Sequence, residues 1–469
     1  MRSSPAKRSA CGRSPAAAAG STPRPASLCN DPPSLPEPYR SPVVTFDDST
    51  AFERAATVLS ENDRGTYTVP TKGLYPFQWN WDSCLTALGQ RHIDEARAWT
   101  EIETLAAHQW PDGMIPHIIF HVYDDGYFPG PDVWKTGRPT PTSGITQPPV
   151  MGFVLRRLYE EAKDKVLAEA KARALIGAAD AWHRWFYATR DPEGTGLVAL
   201  LHPWESGRDN SCDWDAALAR VPTDGIEPYQ RRDTSHVDAA QRPHKAEYDR
   251  YLWLVQRFRG LGWDNAKLHD ASPFRVVDPG FNAILIRSDE DIAALGEALG
   301  MAGLAAAARA RVAKARAAFE RLWSEQHGQY LCLDRTTGAL VESRSVGGLL
   351  PLFAGLGTPE RQQALAARIA EWRGATRFGI ASHDPADPRF EAKRYWRGPV
   401  WLIVNYLVAD GLARCGLAEA AEAVHRDSLT LIEGGFAEYY DPVTGEGLGG
   451  GNFTWTAAMV AELVRKRAA

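Results

Sequence analysis

The chain offers its cysteines no pairing pattern. All six, at 11, 29, 84, 212, 332 and 415, are scattered, with no CxxC among them. A disulfide framework is thereby excluded, and the pattern reads as reduced thiols in a cytoplasmic protein. No run of about 18 apolar residues exists, so no membrane span is expected. Neither sign of charge dominates: 53 Lys and Arg against 58 Asp and Glu leave a net −5. That gives no case for a nucleic-acid or membrane-surface partner. Strand-like alternation is scarce. HExxH, Walker, GxSxG and strand-to-helix GxGxxG sequences are all missing, which removes the metalloprotease, nucleotide, serine-hydrolase and dinucleotide readings.

The near-neutral balance hides an asymmetry. Residues 1–30 carry Arg2, Lys7, Arg8, Arg13 and Arg24 without an acid, leaving −10 for the remainder. Residues 1–45, rich in Ser, Pro and Ala, lack the apolar core of a secretory signal. They read as a disordered basic extension, with an organelle transit peptide as the lesser alternative. The catalytic domain is expected at 46–469.

Tryptophan and helical periodicity are what the chain has in plenty. Apolar residues recur at i, i+3 and i+4 over Ala51–Leu59, Ser83–Trp110, Val150–Lys171, Ala174–Tyr187, Ala246–Arg259, Asp289–Leu299, Ala305–Trp323, Arg361–Arg373, Val400–Cys415 and Leu417–Ile432. Ser288 is read as an N-cap, with acids in the first turn behind it. Long loops rich in glycine, proline and aromatics separate the helices. About half of the 16 tryptophans fall in or beside them.

Two acids stand out in those loops. Asp209 lies in Trp204-Glu205-Ser206-Gly207-Arg208-Asp209-Asn210-Ser211, and Glu438 in Phe436-Ala437-Glu438-Tyr439-Tyr440. Glycoside hydrolysis needs one carboxylic acid to protonate the leaving oxygen and one carboxylate to activate water or attack the sugar. Aromatic walls supply a stacking surface and raise an acid's pKa. Each acid also has a plain structural reading. Asp209 beside Asn210 and Ser211 suits an Asx turn, and Glu438 a solvated loop. Asp441-Pro442-Val443-Thr444-Gly445 is good turn chemistry in its own right.

Five segments in order carry a resemblance: Tyr75-Pro-Phe-Gln-Trp79-Asn-Trp81-Asp82, Gly113-Met-Ile-Pro-His117, the Asp209 run, Tyr395-Trp396-Arg-Gly-Pro-Val-Trp401 and Glu438-Tyr-Tyr-Asp-Pro-Val-Thr-Gly445-Glu446. Together they resemble glycoside hydrolase family 63, related to processing α-glucosidase I, over roughly residues 50–465. The resemblance implies an all-α (α/α)6 toroid, a six-hairpin barrel whose long loops form the active site at one end. It also implies inversion, with Asp209 as general acid and Glu438 as general base. The carboxyls would then lie roughly 6.5–9.5 Å apart. Trp79, Trp81, Asp82, Trp396 and Trp401 would hold the sugar, although Asp82 equally suits a helix N-terminus.

Gly126-Tyr127-Phe-Pro-Gly-Pro131, Thr142-Ser-Gly-Ile-Thr-Gln147-Pro-Pro149 and Gln241-Arg242-Pro-His-Lys-Ala-Glu-Tyr248 are similar to a narrower group, the bacterial mannosylglycerate and glucosylglycerate hydrolases. By that likeness Arg242 and Tyr248, with Tyr127, Gln147, Tyr75 and Tyr395, would hold glycerate. An Arg fork suits a buried carboxylate. Two departures stand against the likeness. Asn452-Phe453 precedes Thr454-Trp455 where Gln is usual, and Cys212 stands where Pro is usual.

The expectation is therefore an inverting α-glycosidase acting on a small 2-O-α-glycosyl glycerate, glucosyl narrowly before mannosyl. No cofactor and no metal are expected, and a homo-oligomer is left open. The rivals are an α-glucosidase for neutral oligosaccharides, suggested by Asn452, and a sugar-binding protein without catalysis.

Overall fold

A computed structural model describes residues 47–235 and 237–468. The expected extension at 1–45 lies outside them. Fifteen α-helices carry the described chain, and no strand exceeds two residues. None of the described helices is long and apolar enough to cross a membrane.

Two kinds of helix recur along the chain. In Asn80–Gln90 every residue is buried, and Pro279–Ala298 and Leu402–Arg414 are buried over most of their lengths. Such helices are core on all sides. Glu95–Ala106, Lys165–Thr189, Ala302–Phe319, Pro359–Thr376 and Ala418–Leu431 bury single stripes. Each fully buried helix packs on the striped helix that follows it, as in Asn80–Gln90 with Glu95–Ala106 and Leu402–Arg414 with Ala418–Leu431. The chain also closes on itself, since Asp48–Asn62 and Asn80–Gln90 both pack on the last helix, Thr454–Ala468.

Several expected boundaries move, each for a local reason. Ser83–Trp110 is not one helix. Asp94 accepts the Arg97 N–H at 3.0 Å and starts a second one there. Asp164 does the same with Leu167 at 2.9 Å, so Val150–Lys171 divides after Glu160. A carboxylate at the N-cap satisfies amides that have no intrahelical partner. Ser288 is not an N-cap. The helix already begins at Pro279, with Asp278 accepting the Gly280 N–H, and Ser288 is buried inside it, accepting the Gly152 N–H at 2.9 Å. Proline at the first helical position and the Asp before it were the stronger start signal. The four described cysteines, Cys84, Cys212, Cys332 and Cys415, are free.

The aromatic segments 75–79 and 395–401 lead into the N-terminal ends of the buried helices Asn80–Gln90 and Leu402–Arg414. Farther along the buried helices runs an unbroken chain of ion pairs. Asp291 joins Arg156 (2.7 Å) to Arg287 (2.9 Å), and Asp410 joins Arg287 (3.1 Å) to Arg157 (2.6 Å). Glu161 joins Arg157 (2.8 Å) to Arg91 (2.5 Å), and Glu462 joins Arg91 (2.7 Å) to Lys466 (2.8 Å). Every carboxylate in it meets two cations, the condition under which buried charge is tolerated. Asp291→Ala removes the buried carboxylate shared by Arg287 and Arg156, leaving Arg287 with Asp410 and Arg156 with Glu160, and is expected to cost up to about 3–5 kcal/mol in urea unfolding. A loss under about 1 kcal/mol, the level of a surface pair, would show that the network re-forms without it.

Candidate active site

The first wall of the cavity comes from 70–82. The two-residue strand Gln78–Trp79 pairs with Ile118–Ile119, and the helix Asn80–Gln90 begins at once. Trp81 and Asp82 therefore sit in its first turn and face the cavity with Tyr75 and Trp79. Asp82 is a helix N-terminal acid and a cavity residue together. Burial drives its carboxyl well above the ordinary range, and the Glu438 and Asp209 carboxylates push the same way. Gln147 Oε1 accepts the Trp81 N–H at 3.1 Å, which orients that carboxamide at the cavity edge.

Asp209 is presented by a tightly held loop. Gly207 has φ 69°, and a Cβ there would meet the Trp81 ring at 2.7 Å. Only glycine fits that turn against that wall. Trp214 Nε1 donates to the Arg208 carbonyl at 2.7 Å, and the Tyr251 hydroxyl to the Asp209 carbonyl at 2.9 Å. From 196 to 214, Asp209 alone is not fully buried. It opens to the cavity, and the low polarity there pushes its carboxyl up to about 7. Glu438 and Asp233 add to the rise, while Arg242 opposes it.

Glu438 sits in a different setting. It precedes the strand Tyr439–Tyr440, which pairs with Gly447–Leu448, and its N–H donates to the Gly450 carbonyl at 2.8 Å. Its Oε1 accepts from the Tyr75 hydroxyl (3.1 Å) and the Tyr395 hydroxyl (3.4 Å), and its Oε2 from the Gly450 N–H (3.1 Å). Arg242 Nη1 lies 3.7 Å from Oε1. Burial raises this carboxyl too, but Arg242 and the three donors hold it toward the ionised form. The run Gly449-Gly450-Gly451 serves this contact: a Cβ on Gly449 would fall 2.4 Å from Glu438 Oε2.

Arg242 completes the centre. It is 2% exposed, donates to the Tyr75 hydroxyl at 2.7 Å and stacks over the Tyr395 ring at 4.7 Å. Its Nε has no hydrogen-bond partner and lies 3.9 Å from Asp233.

Eleven of the thirteen residues singled out from the sequence line this one cavity: Tyr75, Trp79, Trp81, Asp82, Tyr127, Gln147, Asp209, Arg242, Tyr248, Tyr395 and Glu438. Trp396 and Trp401 do not. They stack on each other with centroids 3.8 Å apart, and Trp401 Nε1 donates to the Tyr395 carbonyl at 3.2 Å. They back Tyr395 rather than line the cavity. His117, Trp134, Trp204, Asp233, Phe453 and Trp455 also line it. Asp233 was not legible, because Arg231-Arg232-Asp233 reads as solvated charge. Asn452 is turned out to solvent, donating to Glu61 at 3.2 Å, so only Phe453 of that departure touches the cavity. Asp441 caps its own turn, accepting the Val443 N–H at 2.8 Å, and Glu446 pairs with Lys393 at 2.6 Å.

Two carboxyls in one aromatic cavity, one raised to about 7 and one whose rise is opposed by Arg242 and three hydrogen-bond donors, define a glycoside hydrolase. The comparisons agree. The chain belongs to the mannosylglycerate hydrolase MGH1-like glycoside hydrolase family, whose model matches residues 75–456. It is 53% identical over 420 residues to mannosylglycerate hydrolase MGH1 of Selaginella moellendorffii, covering 89% of this chain and 86% of that one. Identity to the Thermus thermophilus mannosylglycerate hydrolase is 47% over 410 residues, covering 87% of this chain and 98% of the other. The glucosylglycerate hydrolase of Mycolicibacterium hassiacum is 36% identical over 449 residues, covering 89% and 98%. Among solved structures, a family 63 mannosylglycerate hydrolase of Thermus thermophilus in complex with Tris and D-glycerate superposes with a TM-score of 0.86. It is 46% identical, with 88% of this chain and 99% of that one covered.

Proposed function

We propose that this protein hydrolyses a 2-O-α-glycosyl-D-glycerate to hexose and glycerate, with inversion, in the cytoplasm. The pairing of buried with striped helices and the closure of the first on the last fit an (α/α)6 toroid. Asp209 protonates the glycosidic oxygen, and Glu438 deprotonates the attacking water. Trp79, Trp81 and Asp82 hold the sugar. Arg242, Tyr248, Tyr127 and Gln147 hold glycerate, with Trp396 and Trp401 as support behind Tyr395.

One observation carries the reading: the buried Arg242 guanidinium shares the cavity with both carboxyls. A neutral oligosaccharide needs no cation there, whereas a glycerate carboxylate does. Relatives named for mannosylglycerate stand at 53% and 47% identity, with another at 36%, against 36% for the one named for glucosylglycerate. That favours the mannosyl substrate over the glucosyl one preferred on sequence grounds.

Proton NMR with mannosylglycerate, glucosylglycerate and maltose in parallel tests the proposal. The expected result is release of the β-hexose from a glycerate. In Arg242→Ala, truncating a buried charged hydrogen-bonding partner costs about 2–5 kcal/mol, a rise in KM of roughly 30-fold or more. Cleavage of maltose alone, or a KM that ignores Arg242, would sink the glycerate assignment.

A further inference from the structure

Arg208 stands next to Asp209 in sequence, yet its side chain runs the other way, into the protein. It is 2% exposed. Its Nη1 bonds to Asp213 Oδ2 at 2.9 Å and to Ser345 Oγ at 3.0 Å, and its Nη2 lies 2.9 Å from Asp278 Oδ1. Both carboxylates are buried and anchored in their turn. Asp213 accepts the Ser345 hydroxyl at 2.5 Å, and Asp278 caps the helix Pro279–Ala298. Trp214 closes the loop from the side, its ring 5.1 Å from the guanidinium and its Nε1 on the Arg208 carbonyl. The guanidinium thus pins the Asp209 loop to a buried helix start and to the 345–348 turn.

Two facts separate positioning from electrostatic tuning. The largest causes that shift the Asp209 carboxyl are burial, Arg242, Glu438, a backbone hydrogen bond and Asp233, and Arg208 is not among them. The space for the guanidinium is also built in, because a Cβ on Gly347 would lie 2.4 Å from Arg208 Nη2. The side chain cannot swing aside to relieve that clash without leaving two buried carboxylates short of a partner.

We infer that Arg208 is a positioning residue for the general acid: it fixes the depth to which Asp209 enters the cavity, and through that depth the pH at which Asp209 loses its proton. This rests on the acid role assigned to Asp209 above. Depth matters because burial is the largest cause of the raised pKa. A loop that relaxes toward solvent lets the carboxyl fall back toward the ordinary range.

The test compares pH profiles of kcat and kcat/KM for the full chain and for Arg208→Lys, Arg208→Met and Gly347→Ala, on the glycosylglycerate that the parent cleaves. Gly347→Ala keeps every charge and presses only on the guanidinium, so it stands in if Arg208→Met fails to fold. The expected result is a kcat lowered tenfold or more with KM within about threefold. The basic limb should move to lower pH by about one unit, and Arg208→Lys should recover part of both. If the folded variants keep the parent's basic limb and lose activity only in proportion to unfolded protein, Arg208 is merely structural and the inference falls. Asp209→Asn in parallel separates the failures. Activity retained there removes the acid role and this inference with it. An inactive Asp209→Asn beside unshifted Arg208 and Gly347 variants removes the positioning claim alone.

Discussion

Asp209→Asn is expected to lower turnover of the natural glycoside by about 10²–10⁴-fold, the usual contribution of a positioned proton donor. The fold should survive, because the loop is held by Arg208, Trp214 and Tyr251 and not by the Asp209 carboxyl. The sign of the pH effects follows from burial. The Asp209 carboxyl sits at about 7, against an ordinary value of 3.8. The parent should therefore lose activity as pH rises through about 7 and the donor ionises, and the variant should lack that limb. The same shift bears on stability. The folded protein holds this proton more tightly than the unfolded chain, so stability falls as pH rises from the ordinary carboxyl range to about 7. Asp209→Asn removes that loss and should be more stable than the parent at pH 8 by thermal unfolding. A leaving group that needs no proton gives the sharpest check. The variant should still hydrolyse a glycosyl fluoride with the cognate sugar, and failure on that substrate as well would deny Asp209 the donor role.

Glu438→Gln should be equally damaging, by about 10²–10⁴-fold, and here the glycosyl fluoride brings no rescue, since water still needs a base. Gln keeps the shape against Gly449 but has a single acceptor oxygen, so it can accept from the Tyr75 hydroxyl or from the Gly450 N–H and not from both, and the loss reports the charge together with one hydrogen bond. With Glu438 as the proposed base, the parent's acid limb is expected to be its titration. Burial raises its carboxyl above the ordinary range, so activity should fall as pH drops through that raised value. Fluoride hydrolysis retained in Glu438→Gln would exchange the two roles or assign the base elsewhere.

Much of this site could be read before any coordinates. Asp209, Glu438, Arg242 and eight other residues sit in segments whose residue order is specific, and they converge on one cavity. Trp396 and Trp401 mark the limit of that reading. Sequence gives an aromatic its neighbours along the chain, but whether a ring lines a cavity or backs it depends on what packs behind. Here the two rings satisfy each other and the Tyr395 carbonyl. Asn452 shows the same limit from the other side, because one residue with φ 44° turns its side chain to Glu61 and away from the cavity.

By itself, then, the sequence determined the helical class, the family and the two carboxyls, because periodicity and ordered motifs are properties of the chain alone. Tertiary structure alone decided how the two acids differ, since burial raises both and only Glu438 also has three donors on its oxygens to oppose the rise. It also brought Asp233 into the site and set Arg208 behind Asp209. Those are matters of distance between segments far apart in sequence, and electrostatic interaction depends on that distance and on the exclusion of water around it.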